Sequence, residues 1–115
     1  MDETYVQNLN EILTAGGPGV LWTLGQSDDL NANLVRFAPG EGVGRHVNDE
    51  VDVLVLGVSG RGEISINGDE RTLVAGVVAL VPKGASQSIR SDSEDFAYLT
   101  VHRRRAPLHI GRRSR

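Results

Sequence analysis

Gly40-Glu41-Gly42-Val43-Gly44-Arg45-His46-Val47-Asn48-Asp49-Glu50-Val51-Asp52 is the stretch whose reading decides the fold, together with Gly76-Val77-Val78-Ala79-Leu80-Val81-Pro82-Lys83-Gly84-Ala85-Ser86-Gln87 further along. In each, a glycine is followed after five residues by the next fixed point, His46 in the first and Pro82 in the second. Between them lie the β-branched run 51–58, an alternating segment 62–67 with Ile64 and Ile66 on one parity, and the dipeptide Asn67-Gly68. Asn-Gly is a strong hairpin signal, because both residues tolerate positive φ.

Outward from this centre the pattern stays extended. Residues 20–24 and 32–37 read as strands separated by a turn at 25–29, and 39–44 as a glycine-rich loop. The run 51–58 reads as a strand buried on both faces. Segments 71–74, 76–81, 86–90 and 96–102 continue the series, with turns at Pro82-Lys83-Gly84 and at 91–95. Helical spacing occurs once, at Val6, Leu9, Ile12 and Leu13, and Gly16-Gly17-Pro18-Gly19 ends it. About eight or nine short strands with turn signals every eight to twelve residues predict a sandwich or closed barrel. A parallel α/β sheet would need long crossovers, and none is present.

At 115 residues the chain makes one domain, with a core at about 20–102 and a basic arm at 103–115. There is no cysteine, which removes disulfides, thiolate metal sites and thiol catalysis. No apolar run is long enough to cross a bilayer, and Met1-Asp2-Glu3 opens no signal core, so a cytoplasmic protein without a membrane partner is expected. The net charge of −3 hides an asymmetry. All fifteen acids precede residue 96, whereas six of the twelve basic residues are Arg103, Arg104, Arg105, Arg112, Arg113 and Arg115. Such an arm either binds an acidic partner or lies on the protein's own acidic body or that of a dimer mate. The second reading is preferred. A nucleic-acid platform needs stacking aromatics, and the arm has none, so nucleic acid is not an expected partner.

With the motifs laid out, the chain resembles the cupin superfamily, whose two motifs run G-x5-H-x-H-x3,4-E-x6-G and G-x5-P-x-G-x2-H-x3-N. Gly40 and His46 match the first, and Gly60 closes it with one extra residue; Gly76, Pro82 and Gly84 match the second. The resemblance covers residues 30–102 and implies an all-β jelly-roll barrel (a double-stranded β-helix), with one short N-terminal helix here. It also implies a pocket inside the barrel and a homodimer. Metal-bearing relatives present three imidazoles and a carboxylate. Here the second histidine position is Asn48, the acid is Asp52, the motif-two histidine is Gln87 and the closing Asn is Ser91.

Amide oxygens are weak ligands for metals that imidazole suits, so a tight transition metal is not expected. A weak divalent site is left, at His46, Asp52 and Gln87, or as a hard-ion site of Asp52, Asn48, Gln87 and water. Shared parity and the resemblance direct His46, Asn48 and Asp52 into the barrel, with Gln87 facing them and Glu50 at the rim. His102 shares a strand face with Phe96, Tyr98 and Thr100. It either joins the pocket as a ligand or acid/base group, or ends the strand as a solvated residue beside the arginines; the second is preferred. Trp22 is assigned to the core or a dimer seam. The leading functional expectation is a barrel that binds a small polar molecule through His46, Asn48, Asp52, Gln87 and His102 without a cofactor. The alternatives are a small-molecule enzyme (dioxygenase, isomerase or epimerase, or cyclase) using a rewired metal site or a His46–Asp52 acid/base pair, and a dimeric scaffold whose arginine arm does the work.

Overall fold

The computed structural model describes residues 4–105. The part of the basic arm that carries His109, Arg112, Arg113 and Arg115 lies outside these described residues. Within them the chain forms one helix, α1 (Leu9–Ala15), and nine strands: β1 (Gly19–Thr23), β2 (Leu30–Arg36), β3 (Gly42–Val47), β4 (Val53–Ser59), β5 (Arg61–Ile66), β6 (Asp69–Val74), β7 (Val78–Val81), β8 (Ser86–Ser91) and β9 (Ala97–Arg103). No helix among them is long and apolar enough to cross a membrane.

Every strand pairing is antiparallel, in two sheets of order β1-β2-β9-β4-β7 and β3-β8-β5-β6. The all-β jelly roll expected from the sequence is what forms. The sheets face each other across a core of Val51, Val53, Val55, Ile64, Leu73, Val81, Ile89, Phe96 and Tyr98. Antiparallel strands with one face on a core alternate in burial, and β4 does so: Val53 and Val55 are buried while Leu54 is 46% exposed. The expectation that this run is buried on both faces is therefore corrected. Among the described residues, its apolar outer residues lie on a sheet face that α1 covers in part.

Helix α1 begins later than its apolar spacing predicts because Asn8 caps it. The Asn8 Oδ1 accepts from the Asn10 and Glu11 backbone N–H groups, which have no partner inside the helix. At the other end Arg36 donates to the Leu13 and Gly16 carbonyls, both at 3.0 Å, and so ties the helix to β2. Leu9, Ile12 and Leu13 then pack on Leu34 and Ala97, with Trp22 at the edge of the same cluster. Trp22 Nε1 donates to the Tyr5 hydroxyl at 2.9 Å.

The β5–β6 hairpin turns at Asn67 (φ 53°) and Gly68 (φ 85°), both left-handed as the Asn-Gly reading requires. Gly62 is needed for a different reason. A Cβ there would meet the Phe96 ring edge and lie 2.7 Å from the Arg90 carbonyl oxygen, and Phe96 is fully buried. Overpacking of this kind costs about 1–3 kcal/mol. Gly62→Ala should lower the denaturant midpoint by that order, while Gly25→Ala, which meets nothing within 4 Å, should leave it nearly unchanged.

Candidate functional site

The site begins with an irregularity in β3. Val43 pairs with Ile89 and His46 with Gln87, so Gly44 and Arg45 together stand opposite Ser88. That extra residue is a β-bulge, and it re-aims the side chains that follow it. Val43 and His46 are three apart and would point to opposite faces of a regular strand; with the bulge both line the same cavity. The bulge also places the Gly44 carbonyl 2.9 Å from His46 Nδ1. A carbonyl only accepts, so Nδ1 carries the proton and Nε2 keeps its lone pair.

Residues of both sheets enclose the cavity, whose volume is about 440 Å³. Val53 and Val55 from β4 and Ile89 from β8 supply apolar wall, and Gln87 stands beside His46 across the β3–β8 ladder. Strand β9 contributes Tyr98, Thr100 and His102. Their common parity was visible in the sequence, but only His102 stood out there as a candidate.

His102 is 8% exposed and faces this cavity, so the reading of it as a solvated strand end is corrected. Its Nδ1 lies 2.7 Å from the Arg103 carbonyl and its Nε2 3.2 Å from the Asn31 amide nitrogen. Nδ1 donates to the carbonyl and Nε2 accepts from the amide, which leaves neither ring nitrogen free. The residue shapes the wall rather than offering a lone pair.

The structure does not keep the other expected residues together. Strand β3 ends at Val47, and 48–52 form a turn. The Asn48 Oδ1 accepts from the Glu50 and Val51 N–H groups at 3.0 and 3.4 Å, an Asx turn that breaks the parity carried forward from His46. Asn48 remains at the cavity edge. Asp52 does not: it points to the opposite side from Val53, and its Oδ1 accepts from the Lys83 N–H at 2.8 Å. The His46–Asp52 pair is therefore not assembled.

At the mouth, Arg105 Nε lies 3.1 Å from Glu50 Oε1, and Arg103 donates to the Glu50 carbonyl at 3.1 Å. Arg104 turns elsewhere, with its guanidinium donating to the Ser27 carbonyl at 2.7 Å. The first three residues of the basic arm thus lie on the protein's own body.

The residue types and positions do not fit a tightly held transition metal. His46 offers one free imidazole lone pair, Asp52 is committed to a turn outside the cavity, and Gln87 supplies only an amide. Among the described residues no three histidines, aspartates or glutamates gather closely enough to hold a metal ion.

Tyr98 reports on the depth of the cavity. Burial pushes its hydroxyl from the ordinary value of 10.0 up to about 12. Because the folded chain holds this proton more tightly than the unfolded chain, the stabilisation is complete below pH 10 and is lost as pH rises toward about 12. At 1.36 kcal/mol per unit this amounts to about 3 kcal/mol at most. Tyr98→Phe should remove that part of the alkaline destabilisation, measured by denaturant melts across the same pH range.

Comparison with known proteins agrees with this architecture. A cupin-2 domain containing protein from Shewanella frigidimarina superposes with a TM-score of 0.73 at 19% identity, over 86% of this chain and 95% of that one. BH2720 from Bacillus halodurans gives 0.78 at 16% identity, over 93% and 86%. KdgF from Halomonas sp. gives 0.69 at 21%, over 74% and 77%. At these identities the likeness concerns the fold. No functionally curated protein matches the sequence. The model of the cupin domain family matches residues 33–102, which span β2 to β9 and every strand that lines the cavity, and the chain belongs to that family.

Proposed function

We propose that this protein binds a small polar organic molecule in the barrel cavity, without a tightly held transition metal. The observation that carries the reading is the cavity itself. At about 440 Å³ it falls in the range of small-molecule sites, roughly 300–1,000 Å³, and it joins an apolar wall to a few convergent polar groups. His46 Nε2 accepts a hydrogen bond from the ligand, Gln87 both donates and accepts, and Thr100 and the protonated Tyr98 add hydroxyls. Val53, Val55 and Ile89 hold the ligand's apolar part. The test is a thermal-shift screen of small polar metabolites followed by calorimetry. His46→Ala and Gln87→Ala should each weaken a hit by about tenfold, the effect of losing one buried hydrogen bond. Asp52→Ala should cost about 1 kcal/mol of stability and leave affinity unchanged. A stoichiometric transition metal in protein purified without chelator or metal resin, or a screen with no hits, defeats the reading.

The partner reading is a homodimer, favoured by one stripe on the outer face of the five-stranded sheet. Register aligns Leu80, Leu54 and Val101 in one row and Val78, Leu56 and Leu99 in the next. Leu54, Val78 and Leu80 are 46%, 60% and 55% exposed, just beyond the part of the face that α1 covers. An aliphatic stripe without charge is best matched by a second copy of itself across a two-fold axis. Leu54→Lys combined with Leu80→Lys should give a folded monomer by sedimentation, and a wild-type monomer at high concentration would overturn the proposal.

A further inference from the structure

Among the described residues the cavity lining holds one arginine or lysine, Arg105, and Glu50 is paired with it. The two side chains are 44% and 59% exposed. An ion pair so well hydrated contributes little to stability. It nevertheless places a guanidinium just beyond the end of β9, on the lining of the cavity that His46 and Gln87 also line. The Arg103 bond to the Glu50 carbonyl holds the 48–52 turn in place independently of the Glu50 carboxylate, so the backbone there does not depend on the Glu50–Arg105 pair.

We propose that the ligand is an organic carboxylate, and that Glu50 acts as its placeholder on Arg105. This rests on the small-molecule reading of the same cavity. On binding, the ligand's carboxylate takes over the Arg105 N–H donors while its body fills the space between Val53, Val55 and Ile89. The exchange is close to neutral for the protein, because the released Glu50 carboxylate is already largely in water. For the ligand it is favourable: a guanidinium accepts a planar carboxylate in a two-point contact that no neutral amide reproduces. A second carboxylate, Asp49, also lines the cavity, and the two-point contact on Arg105 has to outweigh its repulsion. Arg105 is thereby a specificity-determining residue, selecting acids over their neutral counterparts.

The experiment is calorimetry on the full chain with a panel of small organic acids, each paired with its own amide, 4-hydroxybenzoate and 4-hydroxybenzamide serving as the reference pair. Acids should bind about tenfold or more tightly than their amides at low salt. Arg105→Gln should abolish that difference without lowering the melting temperature. Glu50→Gln should strengthen acid binding, and Arg104→Gln, which removes the neighbouring charge outside the cavity, should leave it unchanged. If amides bind as tightly as acids, or if Arg105→Gln leaves the preference intact, the carboxylate proposal fails while the binding cavity stands. If neither acids nor amides bind, both fail together.

Discussion

Short turns satisfy their peptide groups locally through nearby side chains, and in this protein that local bonding governs which side chains are left for chemistry. Two loops, 48–52 and 82–85, meet at the entrance to β4 and the exit from β7. The Gly84 N–H donates to the Asn48 carbonyl at 2.7 Å, the Lys83 N–H donates to Asp52, and Asn48 turns its own amide oxygen back on Glu50 and Val51. The seam holds the end of β3 against the start of β8 and leads Val53 into the core. Asp52 is consumed in building it, and Asn48, at the cavity edge, gives it its amide oxygen. A carboxylate committed to a backbone N–H would have to give up that bond to reach any other partner, and the loop would lose its clamp.

The remaining polar set is defined by hydrogen-bond direction as much as by residue type. His46 and His102 are both held through Nδ1 on backbone carbonyls, yet they differ in consequence. Asn31 occupies the second nitrogen of His102, while that of His46 has no hydrogen-bond partner among the described residues. One imidazole is thus part of the wall and the other part of the site. Tyr98, stacked near Phe37 and Phe96 with ring centroids 6.1 and 5.5 Å away, closes the cavity floor with a hydroxyl that stays protonated across the physiological range.

Much of the architecture was legible in the sequence. Glycine, proline and Asn-Gly punctuation located the turns, because these residues mark backbone conformations that few others adopt. The strand bounds drifted by one or two residues in several places, β2 beginning at Leu30 and β6 at Asp69, and by most where such signals mislead. Gly42 and Gly44 read as loop yet lie in β3, since a glycine inside a strand can mark a bulge as well as a turn. The same bulge set the limit of the site reading. Parity arguments assume an unbroken strand, and here the bulge before His46 and the Asx turn after Val47 each reset the count. His46 and Gln87 line the cavity and Asp52 does not. Arg105 went unremarked as a lining residue because an arginine run reads as solvated charge, and only the return of β9 beside the 48–52 turn brings it to the mouth.

The bulged strand has a further consequence. Strand β3 forms the edge of its sheet, bonded to β8 alone and exposed at every residue. An open edge invites other chains to pair with it, and the doubled spacing at Gly44-Arg45, with a charge at its centre, spoils the register such pairing needs. The same strand is the cavity wall with the fewest bonds to break. Local opening follows the least protected elements, so the side that bears His46 is also the side that can yield without disturbing the core behind it.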